Sequence, residues 1–120
     1  NNKEVKNFYI KYKGQNIGEF KNKKVSAFAG IGNPENFFNL LKDNNINTLE
    51  EIKFPDHYNY NEKELENLIN KAKENNTILL TTEKDYYRID DNYKKNINFL
   101  KIAVEIENRN QFIEEIKKVI

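Results

Sequence analysis

"KVSAFAGIGNPENFFNLL", Lys24 to Leu41, is the stretch that decides the fold of this chain. Lys24 to Ala29 is short, apolar and closed off by Gly30, the pattern of a buried strand. Gly30-Ile31-Gly32-Asn33 then turns the chain, and Pro34 suits the first position of a helix, where no amide hydrogen is needed. Asn33 stands where it would cap that helix. Phe37, Leu40 and Leu41 recur at i, i+3 and i+4, one apolar helical face, until Asp43-Asn44-Asn45 ends it. A buried strand running straight into an amphipathic helix is the opening of a parallel β-α-β unit.

The rest of the chain continues the alternation. Ile46 to Phe54 is a second, more polar strand candidate. Asn61, with Glu64 three residues on, has the form of a capping box, and Leu65, Leu68, Ile69 and Ala72 form a helical stripe to about Lys73. Thr77 to Leu80 reads as a third buried strand. Glu83 to Ile89 reads as a short helix or turn with Tyr86, Tyr87 and Ile89 on its apolar side. Phe99 to Ile106 gives a fourth strand, and Phe112, Ile113, Ile116, Val119 and Ile120 a closing helix. Ahead of this series, Phe8 to Tyr12 alternates apolar and charged residues, turn residues follow at Gly14 and Asn16, and Ile17 to Phe20 would be the return arm of a hairpin. The expected fold is α/β and Rossmann-like: a mostly parallel sheet with helices on both faces, preceded by a short β-hairpin. Residues 1–120 are expected to form a single domain, with 1–23 as its hairpin extension.

Composition narrows the function. A chain of 120 residues suits one domain with one core, which buries roughly two-thirds of its unfolded surface. There is no cysteine, so no disulfide framework and no thiolate metal site. The formal net charge is +1 with acids and bases interspersed, which gives no electrostatic footprint for nucleic acid. No apolar run approaches the roughly 18 residues of a membrane span. Asn1 to Lys6 is polar and no apolar stretch follows, so no signal peptide is expected. The excess of asparagine, lysine and isoleucine, scattered among regular apolar patterns, reads as AT-rich codon usage. Methionine is absent even at the first position, and the chain is therefore expected to be a piece of a longer protein.

In a parallel sheet, ligands sit at the carboxyl ends of the strands, and three loops are expected on that edge. The first, Gly30 to Pro34, can be a backbone-amide cradle for a phosphate or simply a tight strand-to-helix turn; residue 35 is Glu, so the third glycine of the dinucleotide fingerprint is missing. The second, "FPDHYNY" from Phe54 to Tyr60, holds the single histidine. His57 beside Asp56 can move a proton or orient a carboxylate, or can be an ordinary surface residue. No second histidine or cysteine is available to make a metal site there, and no metal ligands are expected. The third, Thr81 to Asp85 ("TTEKD"), can be a threonine cap followed by a charged first turn. Lys84 fits that position poorly and points to a partner or an internal salt bridge.

"KVSAFAGIGNPENFFNLL", "FPDHYNY" and "LLTTEKDYYRI", in this order and spacing, resemble the C-terminal part of the tetraacyldisaccharide 4'-kinase family, over about Lys24 to Ile106. The resemblance implies an enzyme that moves the γ-phosphate of ATP, with magnesium, onto the 4'-hydroxyl of a lipid A disaccharide precursor at the cytoplasmic face of the inner membrane of Gram-negative bacteria. It implies an N-terminal P-loop domain as partner, holding most of the ATP and Mg2+ contacts; this sequence has no G-x-x-x-x-G-K-[ST]. It implies catalytic roles for His57, as partner of an aspartate base on that other domain, and for Asp56, in support of His57 or of the magnesium shell. It implies a cleft lined by Gly30, Gly32, Asn33, Thr82, Glu83, Lys84 and Asp85. The chain alone is then expected to be inactive. A second reading is a free-standing α/β binding or regulatory module without catalysis, and a third is a small nucleotide-binding protein using Gly30 to Pro34.

Overall fold

The structure, a computed structural model, describes residues 10–14 and 16–106, with the side chains of 16–101. The chain divides into two compact units, Gly14–Ile102 and a smaller one made of Asn1–Lys13 with Ala103–Ile120. The larger unit holds a four-stranded sheet. Its strands are β2 (Lys24–Ala29), β3 (Asn47–Lys53), β4 (Ile78–Thr82) and β5 (Asn98–Leu100), in the order β3-β2-β4-β5 and parallel throughout. Helices α1 (Pro34–Asp43) and α2 (Glu62–Glu74) make the first two crossovers. The short helices α3 (Glu83–Tyr87) and α4 (Asp91–Lys94) make the third.

The strand order follows from alternation along β2. Val25, Ala27 and Ala29 point to one face and pack with Phe37, Phe38, Leu40 and Leu41 of α1. Phe28 points to the other and packs with Leu65, Leu68, Ile69 and Ala72 of α2. The chain leaves β2 to one side through α1, then crosses back over β2 through α2 to reach β4. Right-handed crossovers running in opposite directions put the two helices on opposite faces. The result is a doubly wound sheet whose switch point lies between the carboxyl ends of β2 and β4. All the expected buried strands and both long helices are present within a residue or two, and the capping box is complete, with Asn61 accepting from the Glu64 amide at 2.8 Å and Glu64 accepting from the Asn61 amide at 3.3 Å. As the edge strand, β3 buries little, and its Glu50 and Glu51 pair with Lys71 and Lys42.

Three expectations are corrected. Ile17–Phe20 is a 3-10 helix, not a strand, so no hairpin forms with β1 (Ile10–Gly14), which pairs instead with β6 (Ile102–Ile106) in a two-stranded sheet. The expected strand from Phe99 to Ile106 is therefore two strands in two sheets. The break has a cause in the larger unit: the Asn16 side-chain amide donates to the Phe99 carbonyl and accepts from the Lys101 amide, both at 2.9 Å, and so occupies the edge a fifth strand would take. Asn33 makes no side-chain cap; Pro34 opens α1 without it. The expected closing helix lies outside the described residues.

Candidate active site

The loops after β2, β3 and β4 meet at the switch point around one buried carboxylate. Asp85, on the first turn of α3, is fully buried. The Gly30 amide donates to both its oxygens, at 3.0 and 3.1 Å. Tyr60 donates to Oδ1 at 3.0 Å, Thr82 to Oδ2 at 2.6 Å and Arg88 Nη2 to Oδ1 at 2.7 Å. The Asp85 amide in turn donates to Thr82 Oγ1 at 3.1 Å, which caps α3. A buried charge is tolerated only when so compensated.

The same network explains Gly30. A Cβ there would lie 2.8 Å from the Tyr60 hydroxyl oxygen, 3.1 Å from the Pro55 carbonyl oxygen and 3.2 Å from Asp85 Oδ1. Only glycine lets the three loops close. Its amide is spent on Asp85 and its carbonyl on the His57 amide, at 3.0 Å, and Arg88 Nη2, at 2.9 Å.

The second loop presents its acid and its imidazole outward. Phe54, Tyr58 and Tyr60 pack on one another with ring centroids 5.0–5.3 Å apart, and Phe54 and Tyr60 also meet Phe28 edge-on. These rings anchor both ends of the loop and leave Asp56 and His57 between them at the surface, with side chains 52% and 86% exposed. His57 has φ 57°, the left-handed region that costs an L-residue roughly 1–2 kcal/mol. Among the described residues, the other non-glycine positions with positive φ are the asparagines Asn22, Asn45 and Asn76, a residue type that tolerates it well. His57 Nε2 lies 3.7 Å from Asp56 Oδ2.

A cavity of about 510 Å³ opens at this edge, lined by Ile31, Gly32, Asp56, His57, Lys84, Tyr87 and Arg88. It brings Asp56 and His57 together with Gly32 and Lys84. Of the residues expected to line the cleft, Gly30, Asn33, Thr82, Glu83 and Asp85 are not on its walls. Asp85 and Thr82 lie beneath it, and Gly30 holds the floor together. Arg88, Tyr60 and Tyr87 belong to the site and were not expected there. Arg88 had a sequence signal, three residues after Asp85 and four after Lys84 on a helical turn. Tyr60 had none, since its link to Asp85 spans 25 residues of chain. Among the described residues no group of three His, Cys, Asp or Glu side chains is placed to hold a metal ion.

The chain is a doubly wound α/β domain with charged loop residues at its switch point, the edge where such sheets receive ligands. The Tetraacyldisaccharide-1-P 4'-kinase family matches residues 2–120. The tetraacyldisaccharide 4'-kinases of Rickettsia akari and Rickettsia bellii are 46% and 48% identical over 98 residues, which is 82% of this chain and 30% of either relative. That of Pelagibacter ubique is 34% identical over 110 residues, 91% of this chain and 35% of the relative. The crystal structure of "apo" form LpxK from Aquifex aeolicus in complex with ATP superposes with a TM-score of 0.56 at 25% identity, covering 93% of this chain and 36% of that one. The chain belongs to the Tetraacyldisaccharide-1-P 4'-kinase family, and it spans about a third of the length of these relatives.

Three stability outcomes follow from the network. Asp85→Asn leaves Arg88 without its counter-charge and is expected to cost about 3 kcal/mol, read from urea unfolding midpoints. His57→Gly relieves the left-handed strain that His57→Ala keeps, so the glycine variant should be more stable than the alanine variant by about 1 kcal/mol. Burial pushes the Tyr60 phenol well above its ordinary value of 10.0, with the charge and hydrogen bond of Asp85 adding to it and Arg88 opposing. The folded chain thus keeps a proton that the unfolded chain loses above about pH 10, so stability present below that pH is lost as pH rises. Tyr60→Phe should flatten the alkaline decline of the unfolding midpoint; an unchanged slope would refute this account of Tyr60.

Proposed function

We propose that this chain is the C-terminal part of an ATP-dependent kinase that phosphorylates the 4'-hydroxyl of the tetraacyldisaccharide 1-phosphate precursor of lipid A. The observation that carries the reading is the shared cavity: an exposed Asp56–His57 pair together with Lys84 and Arg88, in a chain of this family. Transfer to an alcohol requires that the hydroxyl proton be accepted while negative charge is held on the phosphoryl oxygens. Asp56 and His57 suit the first task and the two cations the second.

His57, solvent-facing and locked by its backbone to the Gly30 carbonyl, is a fixed group that can take or pass a proton at Nε2. By family resemblance, His57 partners an aspartate base on an N-terminal P-loop domain, orienting or tuning that base as it accepts the sugar hydroxyl proton. ATP, when bound, supplies the phosphoryl group. Lys84 and Arg88 fit its phosphate oxygens; by family resemblance most of the magnesium contacts belong to the other domain, with Asp56 as a carboxylate that can support the metal's shell. The precursor, the P-loop domain and the inner-membrane surface are the partners this reading implies. No helix among the described residues is long and apolar enough to cross a membrane.

In the complete kinase, His57→Ala should lower kcat by about a hundredfold or more with KM changed only severalfold, because the imidazole acts in the transition state. A wild-type kcat in that variant would sink the proposal.

A further inference from the structure

We infer that Arg88 and Lys84 form an anion receptor that takes a phosphate or phosphoryl group presented from outside this chain; the naming of its ligand rests on the kinase reading, the receptor itself on geometry. The Arg88 guanidinium is held from three directions. Nη2 donates to Asp85 Oδ1 at 2.7 Å and to the Gly30 carbonyl at 2.9 Å, and Nε donates to the Lys84 carbonyl at 3.4 Å. Asp85 is itself pinned by Gly30, Tyr60 and Thr82, so the guanidinium plane is fixed.

Its remaining nitrogen, Nη1, is buried and has no hydrogen-bond partner. Buried donors in native proteins are almost always satisfied, and an unmet one calls for a missing acceptor. A fixed arginine fork matches the spacing of phosphate oxygens. Lys84 stands one helical turn before Arg88 and lines the same cavity. It is exposed and makes no salt bridge among the described residues. Asp85 balances the charge of Arg88, and Lys84 adds a second positive charge that no carboxylate among the described residues pairs.

The cavity exceeds what a bare carboxylate needs. Tyr87, 66% exposed on its rim, offers a ring face against which a sugar or base attached to the phosphate can lie. Asp56 and His57 complete the lining and are not consumed by anion binding.

The test is an NMR titration of the 120-residue chain with inorganic phosphate, following the Gly32 amide and the Arg88 Nε–H, with ADP and glucosamine 1-phosphate as competitors. Wild type should show saturable shifts at both signals. Arg88→Lys should weaken phosphate binding by about tenfold and Lys84→Gln by about threefold. Lys84→Gln touches no bond of the Asp85 network, so the test survives if Arg88→Lys perturbs the fold. Displacement of phosphate by ADP would assign the site to the nucleotide, and displacement by glucosamine 1-phosphate to the sugar substrate. No saturable response in wild type, or wild-type affinity in Lys84→Gln, would overturn the receptor. The kinase reading fails on a different observation, a wild-type kcat in His57→Ala, so the two failures can be told apart.

Discussion

The buried Asp85 carboxylate is the constraint on which the functional edge depends. It sits where the ends of β2, β3 and β4 converge, and it accepts hydrogen bonds from Gly30 on the first loop, Tyr60 on the second, and Thr82 and Arg88 on the third. No apolar residue could do this. The loops arrive with unpaired backbone and side-chain donors, and burying those donors without an acceptor would cost more than the loops' own packing returns. One carboxylate gathers them. In return the donors compensate a charge that burial alone would forbid.

This arrangement separates a buried, bonded floor from an exposed acid and imidazole. The floor of the cavity is buried and tied together through Asp85, whereas Asp56 and His57 stand on the surface. They are held there by the aromatic anchors Phe54, Tyr58 and Tyr60 and by the bond from the His57 amide to the Gly30 carbonyl. The left-handed backbone at His57 is the one position in the loop where local preference is overruled. An asparagine or glycine would hold the turn at lower cost, and neither carries an imidazole.

Much of this was legible in the sequence, and the boundary is physical. Periodicity gave the buried strands and the helices because Val25, Phe28, Leu65 and Leu80 obey local rules of alternation. It failed at Ile17–Phe20, which is a 3-10 helix, and at Lys101, where two long-range hydrogen bonds of the Asn16 side-chain amide, to the Phe99 carbonyl and from the Lys101 amide, take the edge of β5. At the site, the three loops were legible as neighbours, since parallel strands share a carboxyl edge. The division of labour among their residues was not. Asp85 and Lys84 are adjacent in sequence, yet one is fully buried and the other exposed, and only the packing of Tyr60 and Gly30 against Asp85 separates them.

The glycine loop shows how far the same residues can serve a different purpose from the one their pattern suggests. A Gly-x-Gly turn at the head of a helix invites a phosphate on its amides. Here the first amide is taken by an internal carboxylate, and neither glycine has a positive φ. Gly30 is small so that Tyr60 can reach Asp85, and a Cβ on Gly32 would press on Asp56 Oδ2 at 3.3 Å. Asp85 thus stands in for the anion such a loop would otherwise bind, and Arg88, drawn in to balance that internal anion, lines the cavity and keeps one buried donor without a partner. Phosphate affinity, on this view, has moved from the backbone of the first loop to the side chains of the third.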